Sequence, residues 1–317
     1  MSTTDSTATL PDVWVNNMNK TAIEKTRRKM KQDESLGGNA PVTVTATWEN
    51  GLVTGAGGKL VCYPAPEIQL ASLKMGPSVN SYCPLIAGGC FSLVIMIQAA
   101  IKDYKFESFT TNMKTNPNFI GCYKQGQGSV GEHPWVDHGI RLNMTIQGPQ
   151  TTDELVRLSD KADRHCPSSE IMKRDFPVEV EKFEFKNTGD DAEWADVPVW
   201  YDMKKYNEIA EKTEHFVEQN ADMVWHCQNE NERFPDSLMS FEFPSDCGAK
   251  LVLSHDKPLS SGKYANPVQA CFFGGLSSFL HTVAARLYVR GYKVERIEGA
   301  IKSVLNKRKV FAVEKSS

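Results

Sequence analysis

Cys90 and Cys166 are the residues of this chain whose types and surroundings could do chemistry. Cys90 follows the small-residue run Ala87-Gly88-Gly89 and leads into Phe91-Ser92-Leu93-Val94-Ile95-Met96, the approach to an apolar helix. Cys166 lies in Arg164-His165-Cys166-Pro167-Ser168-Ser169, where one helix should end and the next begin at proline. A thiol at a helix start meets unpaired N–H groups and the positive end of the dipole, which favour the thiolate. Two such thiols brought together by a fold can trade electrons through a sulfenic acid and a disulfide. The plain alternative for Cys90 is a small buried hydrophobe.

Other candidates surround this pair. Cys83, seven residues before Cys90, is an alternative partner, with Pro84 setting it just outside the helix. Cys62, Cys122, Cys227, Cys247 and Cys271 read as packing residues. His133 and His138 flank Trp135 in a long loop over 114–138 that also holds Cys122. They read as hydrogen-bonded loop histidines rather than metal ligands, and the loop could serve as a lid. Ser278 and His281 are spaced to share a helical face, which suits either a binding pocket or a satisfied core histidine.

Composition bounds the rest. At 317 residues the chain has room for two domains of about 150 residues. It is 40% hydrophobic and 24% charged with a net charge of −3, which points to an ordinary globular protein without a nucleic-acid or membrane surface. The apolar run from Cys90 to Ile101 is too short to span a bilayer. The polar start Ser2-Thr3-Thr4-Asp5-Ser6-Thr7 is not a secretory signal, and the basic stretch Lys20 to Lys31 reads as a solvated helix. None of the eight cysteines forms a Cys-x-x-Cys pair, which disfavours structural zinc. The expected setting is cytoplasmic and reducing, where a reactive cysteine pair is more plausible than standing disulfides.

The elements that must position these cysteines follow from periodicity. Residues 1–19 read as a disordered or docking tail and 20–34 as a charged helix. Val42 to Trp48 is a strand, turned at Glu49-Asn50-Gly51, with two more strands before Gly76. From about Pro84 a buried helix runs to Lys102, followed by a strand over Phe106 to Met113. Ile140 to Ile146 alternates as a strand, and Thr151 to Arg164 is an amphipathic helix. In the second half, Leu251 to Ser254 is a strand, Asn266-Pro267 opens an apolar helix reaching Val289, and Tyr201 to Val217 is an inserted helix. The two apolar helices can be overlaid, since Tyr104 follows Cys90 by 14 residues and Tyr292 follows Ser278 by 14. This is a weak internal duplication in two copies.

These segments resemble the OsmC/Ohr superfamily, the osmotically inducible protein C and organic hydroperoxide resistance proteins. The likeness rests on Leu85 to Met96, on the strand, helix and Cys-Pro of residues 138–172, on the separation of the two cysteines, and on Asn266-Pro267 ahead of Ser278. It covers residues 40–175 well and 240–305 in part. It implies an α+β fold, an OsmC-like swapped arrangement that a tandem chain would complete as a pseudo-dimer from its own two units. Residues 20–176 would be the unit carrying the cysteines, and 177–317 a degenerate unit with Ser278 in place of Cys90. It implies hydroperoxide reduction with Cys90 as the attacking thiol and Cys166 as the resolving one. A small-molecule substrate and a dithiol reductant are implied, with no cofactor and no metal, in a possible homodimer of pseudo-dimers. Two groups of the peroxidase members are absent: their glutamate position is Asn80, and no arginine lies between Val42 and Gly76. Asn80, Ser278, His281 and Arg286 are the expected substrate-binding residues, with Arg286 standing in for the missing cation. Two other readings stay open: different cysteine chemistry on a small electrophile or sulfur compound, and a non-catalytic ligand-binding pseudo-dimer.

Overall fold

Val79–Lys102 and Pro267–Val289 are the two longest helices among the described residues, and their apolar composition fixes the architecture because both must be covered. The computed structural model describes residues 12–49, 51–62, 79–116, 140–173, 218–227, 237–244, 249–257, 259–289 and 292–313, without the side chains of 80, 81, 83, 84, 288 and 289. The molecule is mixed α+β with antiparallel sheets. The expected inserted helix over 201–217 and the 114–138 loop beyond residue 116 lie outside the described residues, as do His133 and His138.

The chain opens with strands β1 (Trp14–Val15) and β2 (Met18–Asn19), then helix α1 (Lys20–Gln32). The residues of β1 and β2 fall in the 1–19 stretch expected as a tail, but Val15 and Met18 are fully buried. Asn16 and Asn17 make the turn between them with positive φ, a conformation asparagine tolerates. Asn16 then acts as a rivet: its side chain donates to the Tyr104 carbonyl at 2.8 Å and accepts from the Phe106 N–H at 2.7 Å. Its own carbonyl accepts from the Trp225 indole at 2.9 Å.

Strands β3 (Ala40–Glu49), β4 (Leu52–Gly55) and β5 (Val61–Cys62) form a meander. In β3, buried Val44, Ala46 and Trp48 alternate with outward-facing Thr43, Thr45 and Thr47, as a strand with one covered face requires. Glu49 pairs with Leu52, and Gly51 has φ +74. Helix α2 (Val79–Lys102) follows, then β6 (Ser108–Thr115), β7 (Arg141–Gln147), α3 (Thr152–His165) and α4 (Pro167–Lys173). The second half supplies β8 (Gln219–Trp225), β9 (Met239–Phe243), β10 (Ala249–Leu253), α5 (Pro267–Val289), β11 (Arg296–Leu305) and α6 (Lys307–Val310).

The strands are shared across the halves. One sheet has the order β10-β9-β8-β6-β7 and the other β11-β3-β4-β5. The strand that follows each long helix therefore pairs with the first strand of the other half's meander. The registers correspond: Phe109 on β6 lies opposite Trp225, and Ile297 on β11 lies opposite Trp48. Both helices also end alike, with the Tyr104 N–H bonded to the Ala99 carbonyl and the Tyr292 N–H to the Leu287 carbonyl. Among the described residues, neither 20–176 nor 177–317 holds a complete sheet of its own.

The two long helices pack against each other between the sheets. Each is long and apolar enough to cross a membrane, contrary to the reading of a shorter run around Cys90. Burial decides their role: 89% of the apolar window of α2 and 56% of that of α5 lie inside the fold, so α2 is a core helix.

Candidate functional site

The site begins at the glycines of α2. A Cβ on Gly88 would run into the Met113 sulfur on β6, and one on Gly89 would come within 2.5 Å of the Phe241 ring on β9. The two glycines thus let α2 lie close to a sheet built by both halves, which fixes the height of Cys90 one residue later. Cys90 is fully buried.

The partner cysteine is brought in by α3 and α4, which both pack on α2. A capping box starts α3, with the Thr151 hydroxyl accepting from the Glu154 N–H and the Glu154 carboxylate accepting from the Thr151 N–H. Leu158 and Ala162 face inward. Cys166 is the residue that ends α3, in extended conformation, and Pro167 starts α4 at a position needing no N–H donor. The corner is held from outside: Asp163 on α3 accepts from the Ser169 hydroxyl and pairs with Lys173, both in α4. These contacts hold its carboxyl below the usual carboxylate range, the lysine contact most strongly.

The Sγ atoms of Cys90 and Cys166 are 3.8 Å apart. Both thiols are free and buried, and a short closing movement would reach the ~2.05 Å of a disulfide. The two are electrostatically unequal. The Cys166 thiol donates to the Cys90 sulfur, and this hydrogen bond, aided by the Ser168 hydroxyl and N–H, pulls the Cys90 thiol below its ordinary range despite burial. Cys166 is pushed up, by the same hydrogen bond first and by burial second. Cys90 is therefore the first of the two to lose its proton, and the proton that remains sits on Cys166.

The expected cysteine pair is brought together, but the expected cause of ionisation is corrected. Cys90 lies in the middle of a 24-residue helix, because α2 starts at Val79 and runs on through Pro84. Its own helix N-terminus is too far away to act, since that effect fades within the first turn. The donors come instead from Cys166 and Ser168. Cys83 is inside α2 for the same reason, and nothing of its side chain is described. Asn80 lies in the first turn of α2 and its side chain is likewise outside the described residues.

Ser278, His281 and Arg286 all lie on α5, beside α2. Among the described residues the groups bonded to the Cys90 sulfur are those of Cys166 and Ser168, so these three are not part of its immediate shell. The Ser278 carbonyl accepts from the Thr282 hydroxyl at 2.8 Å. His281 is buried, and loss of solvent pushes its pKa down to about 3, which keeps it neutral. Burial first, and the nearby Lys161 charge second, push the imidazole of His165, next to Cys166, below its ordinary range. Ser168 is the functional residue that the sequence reading missed. Its signal was present: a serine just after Pro167 falls in the first turn of a helix, where hydroxyl and N–H are both available.

No protein-family model matches this chain, and no curated protein matches it.

Proposed function

We propose that this chain is a tandem protein of OsmC/Ohr type, a pseudo-dimer made by one polypeptide, that reduces organic hydroperoxides. The observation that carries the reading is the buried pair itself, Cys90 and Cys166 at 3.8 Å with Cys90 the more acidic of the two. The exchange of strands between halves, with Trp48 and Trp225 in matching registers, supports the swapped arrangement.

The Cys90 thiolate attacks one oxygen of the peroxide, forming an S–O bond as the O–O bond breaks. Cys90 is oxidised to the sulfenic acid and the peroxide leaves as an alkoxide. Cys166 gives its proton to the alkoxide, which departs as the alcohol. The resulting Cys166 thiolate attacks the Cys90 sulfur and expels hydroxide, closing the disulfide. A dithiol reductant returns two electrons for the next cycle. Cys166 and Ser168 take the thiolate-stabilising role for which the peroxidase members use arginine and glutamate. The apolar surroundings of the pair favour an organic over a hydrogen peroxide. A cytoplasmic setting would keep the pair reduced between turnovers.

A second reading has one observation in its favour. With Asn80 at the glutamate position and no arginine between Val42 and Gly76, the two groups that hold the peroxide in the peroxidase members are missing, which suits different thiol chemistry on a small electrophile or sulfur compound. The deciding experiment mixes pre-reduced protein with an organic hydroperoxide, with Cys90→Ser and Cys166→Ser in parallel. Turnover with a Cys90–Cys166 bridge by mass, abolished in Cys90→Ser, is expected. No turnover and no bridge would remove the peroxidase reading and leave other thiol chemistry or a non-catalytic binding role.

A further inference from the structure

A disulfide asks for more than two thiols in contact. The sulfurs of Cys90 and Cys166 must close from 3.8 Å to ~2.05 Å. Cys90 has little room to move, because the turn before it is pressed on the sheet through Gly88 and Gly89, against Met113 and Phe241. The movement therefore falls to Cys166. That residue is a joint: its backbone is extended (φ −81, ψ 120) between α3 and α4, and its carbonyl accepts from the Glu170 N–H at 3.1 Å. One side chain spans the joint. Asp163, in the last turn of α3, accepts through Oδ1 from the Ser169 hydroxyl at 2.5 Å and through Oδ2 from the Lys173 ammonium. Ser169 is the third residue of α4 and Lys173 the last. A carboxylate in the last turn of a helix works against the helix dipole, so α3 by itself gives no reason for an aspartate there. The side chains of Asp163 and Lys173 are 40% and 58% exposed, and an ion pair so exposed adds little to stability. What these contacts fix is the angle between α3 and α4, and with it the place of Cys166 and Ser168.

We propose that Asp163 is a positioning residue: it locks α3 to α4 so that Cys166 and Ser168 meet Cys90 as one unit, in place for the disulfide to close. The role rests on the cysteine pair acting as proposed above. With Asp163 present, the Cys166 thiolate attacks the Cys90 sulfenic acid, the S–S bond forms and hydroxide leaves. With the joint loosened, the sulfenic acid waits. A second hydroperoxide then transfers an oxygen to it: another S–O bond forms on Cys90 as the O–O bond breaks, the sulfur is oxidised to the sulfinic acid, and the peroxide leaves as the alcohol. That product ends the cycle, since a dithiol does not reduce it. Misplacing a reacting group by about 1 Å can cost on the order of a hundredfold in rate, so a modest contact at the joint suffices to decide between the two fates.

The test uses the full-length protein and reads the joint apart from the reaction. In a glutathione redox buffer, without peroxide, the bridge equilibrium reports the effective concentration of Cys166 at Cys90. Asp163→Ala should lower it about tenfold, and so should Ser169→Ala combined with Lys173→Met. All three substitutions together should do no more than either set, because they remove the same contacts. Asn19→Ala, which removes the cap of α1, should leave it unchanged. With an organic hydroperoxide, Cys90 sulfinic acid should accumulate by mass in Asp163→Ala and scarcely in the unsubstituted protein. An unchanged effective concentration in Asp163→Ala would overturn the proposal. So would additive losses, since Asp163 would then act through other groups. Lys173→Met alone, at an exposed side chain, carries the test if Asp163→Ala fails to fold: a partial loss is expected, and no loss would overturn the proposal. A tenfold loss in the glutathione buffer without peroxide turnover would support the joint and remove the peroxidase reading, so the two stand or fall separately.

Discussion

At the residue scale the site depends on three donors aimed at one sulfur. Hydrogen bonds to a charged group favour its charged form. Replacing Cys166 by alanine removes the first and largest of them and should raise the Cys90 midpoint. Ser168→Ala should raise it less, because the Ser168 N–H remains. Both follow from the thiolate absorbance of reduced protein during an alkaline titration. An unchanged midpoint in Cys166→Ala would mean that the two sulfurs do not share a proton. The linkage signs of the pair are opposite. The lowered Cys90 contributes stability above the ordinary thiol pKa, which is lost as pH falls through its folded value. The raised Cys166 contributes stability below that pKa, which is lost as pH rises. The types and settings of Cys90 and Cys166 made this pair legible in the sequence. The direction of proton sharing was not, because it depends on a contact between residues 76 positions apart.

At the element scale, glycine spacing decides how closely each long helix approaches its sheet. Gly89→Ala should destabilise the protein by about 1–3 kcal/mol, because the added methyl meets the Phe241 ring in a filled core. Gly275→Ala, on the equivalent helix of the second half, should be neutral or stabilise by about 0.5–1 kcal/mol, since it adds helix propensity in open space. Urea unfolding of the two variants checks both; equal effects would mean that the close approach of α2 is not specific. The helices and most strands were readable from period and turn residues: Asn266 accepts from the Gln269 N–H at 2.9 Å ahead of Pro267, as an Asn-Pro start should. The hairpin of β1 and β2 was overlooked because each strand has only two residues, too few for a period to register. Its one sign was Asn16-Asn17 between Val15 and Met18.

At the scale of the whole molecule, both sheets among the described residues draw strands from both halves, and strand partnership between distant segments leaves little trace in a single sequence. The β3–β11 pairing joins Ala40 to Leu305, and no local pattern announces it. Such sharing ties the stability of the halves together. Trp225 is buried between β6 and β9, and its indole bonds to the Asn16 carbonyl, so Trp225→Leu should cost about 2–4 kcal/mol. If the halves fold as one body, the loss must appear in both sheets, because opening β8 releases β6, α2 and then α5 from the first meander. Hydrogen exchange should therefore speed up in β3 and β11 by nearly the same factor as in β8 and β6. Independent halves would confine the faster exchange to the β10-β9-β8-β6-β7 sheet, leaving the most protected amides of β3 unchanged. The shared outcome also bears on Cys90, whose depth is set by Gly89 resting on Phe241. A second half that could open by itself would expose the sulfur pair, whereas one cooperative body keeps it covered until the whole fold opens.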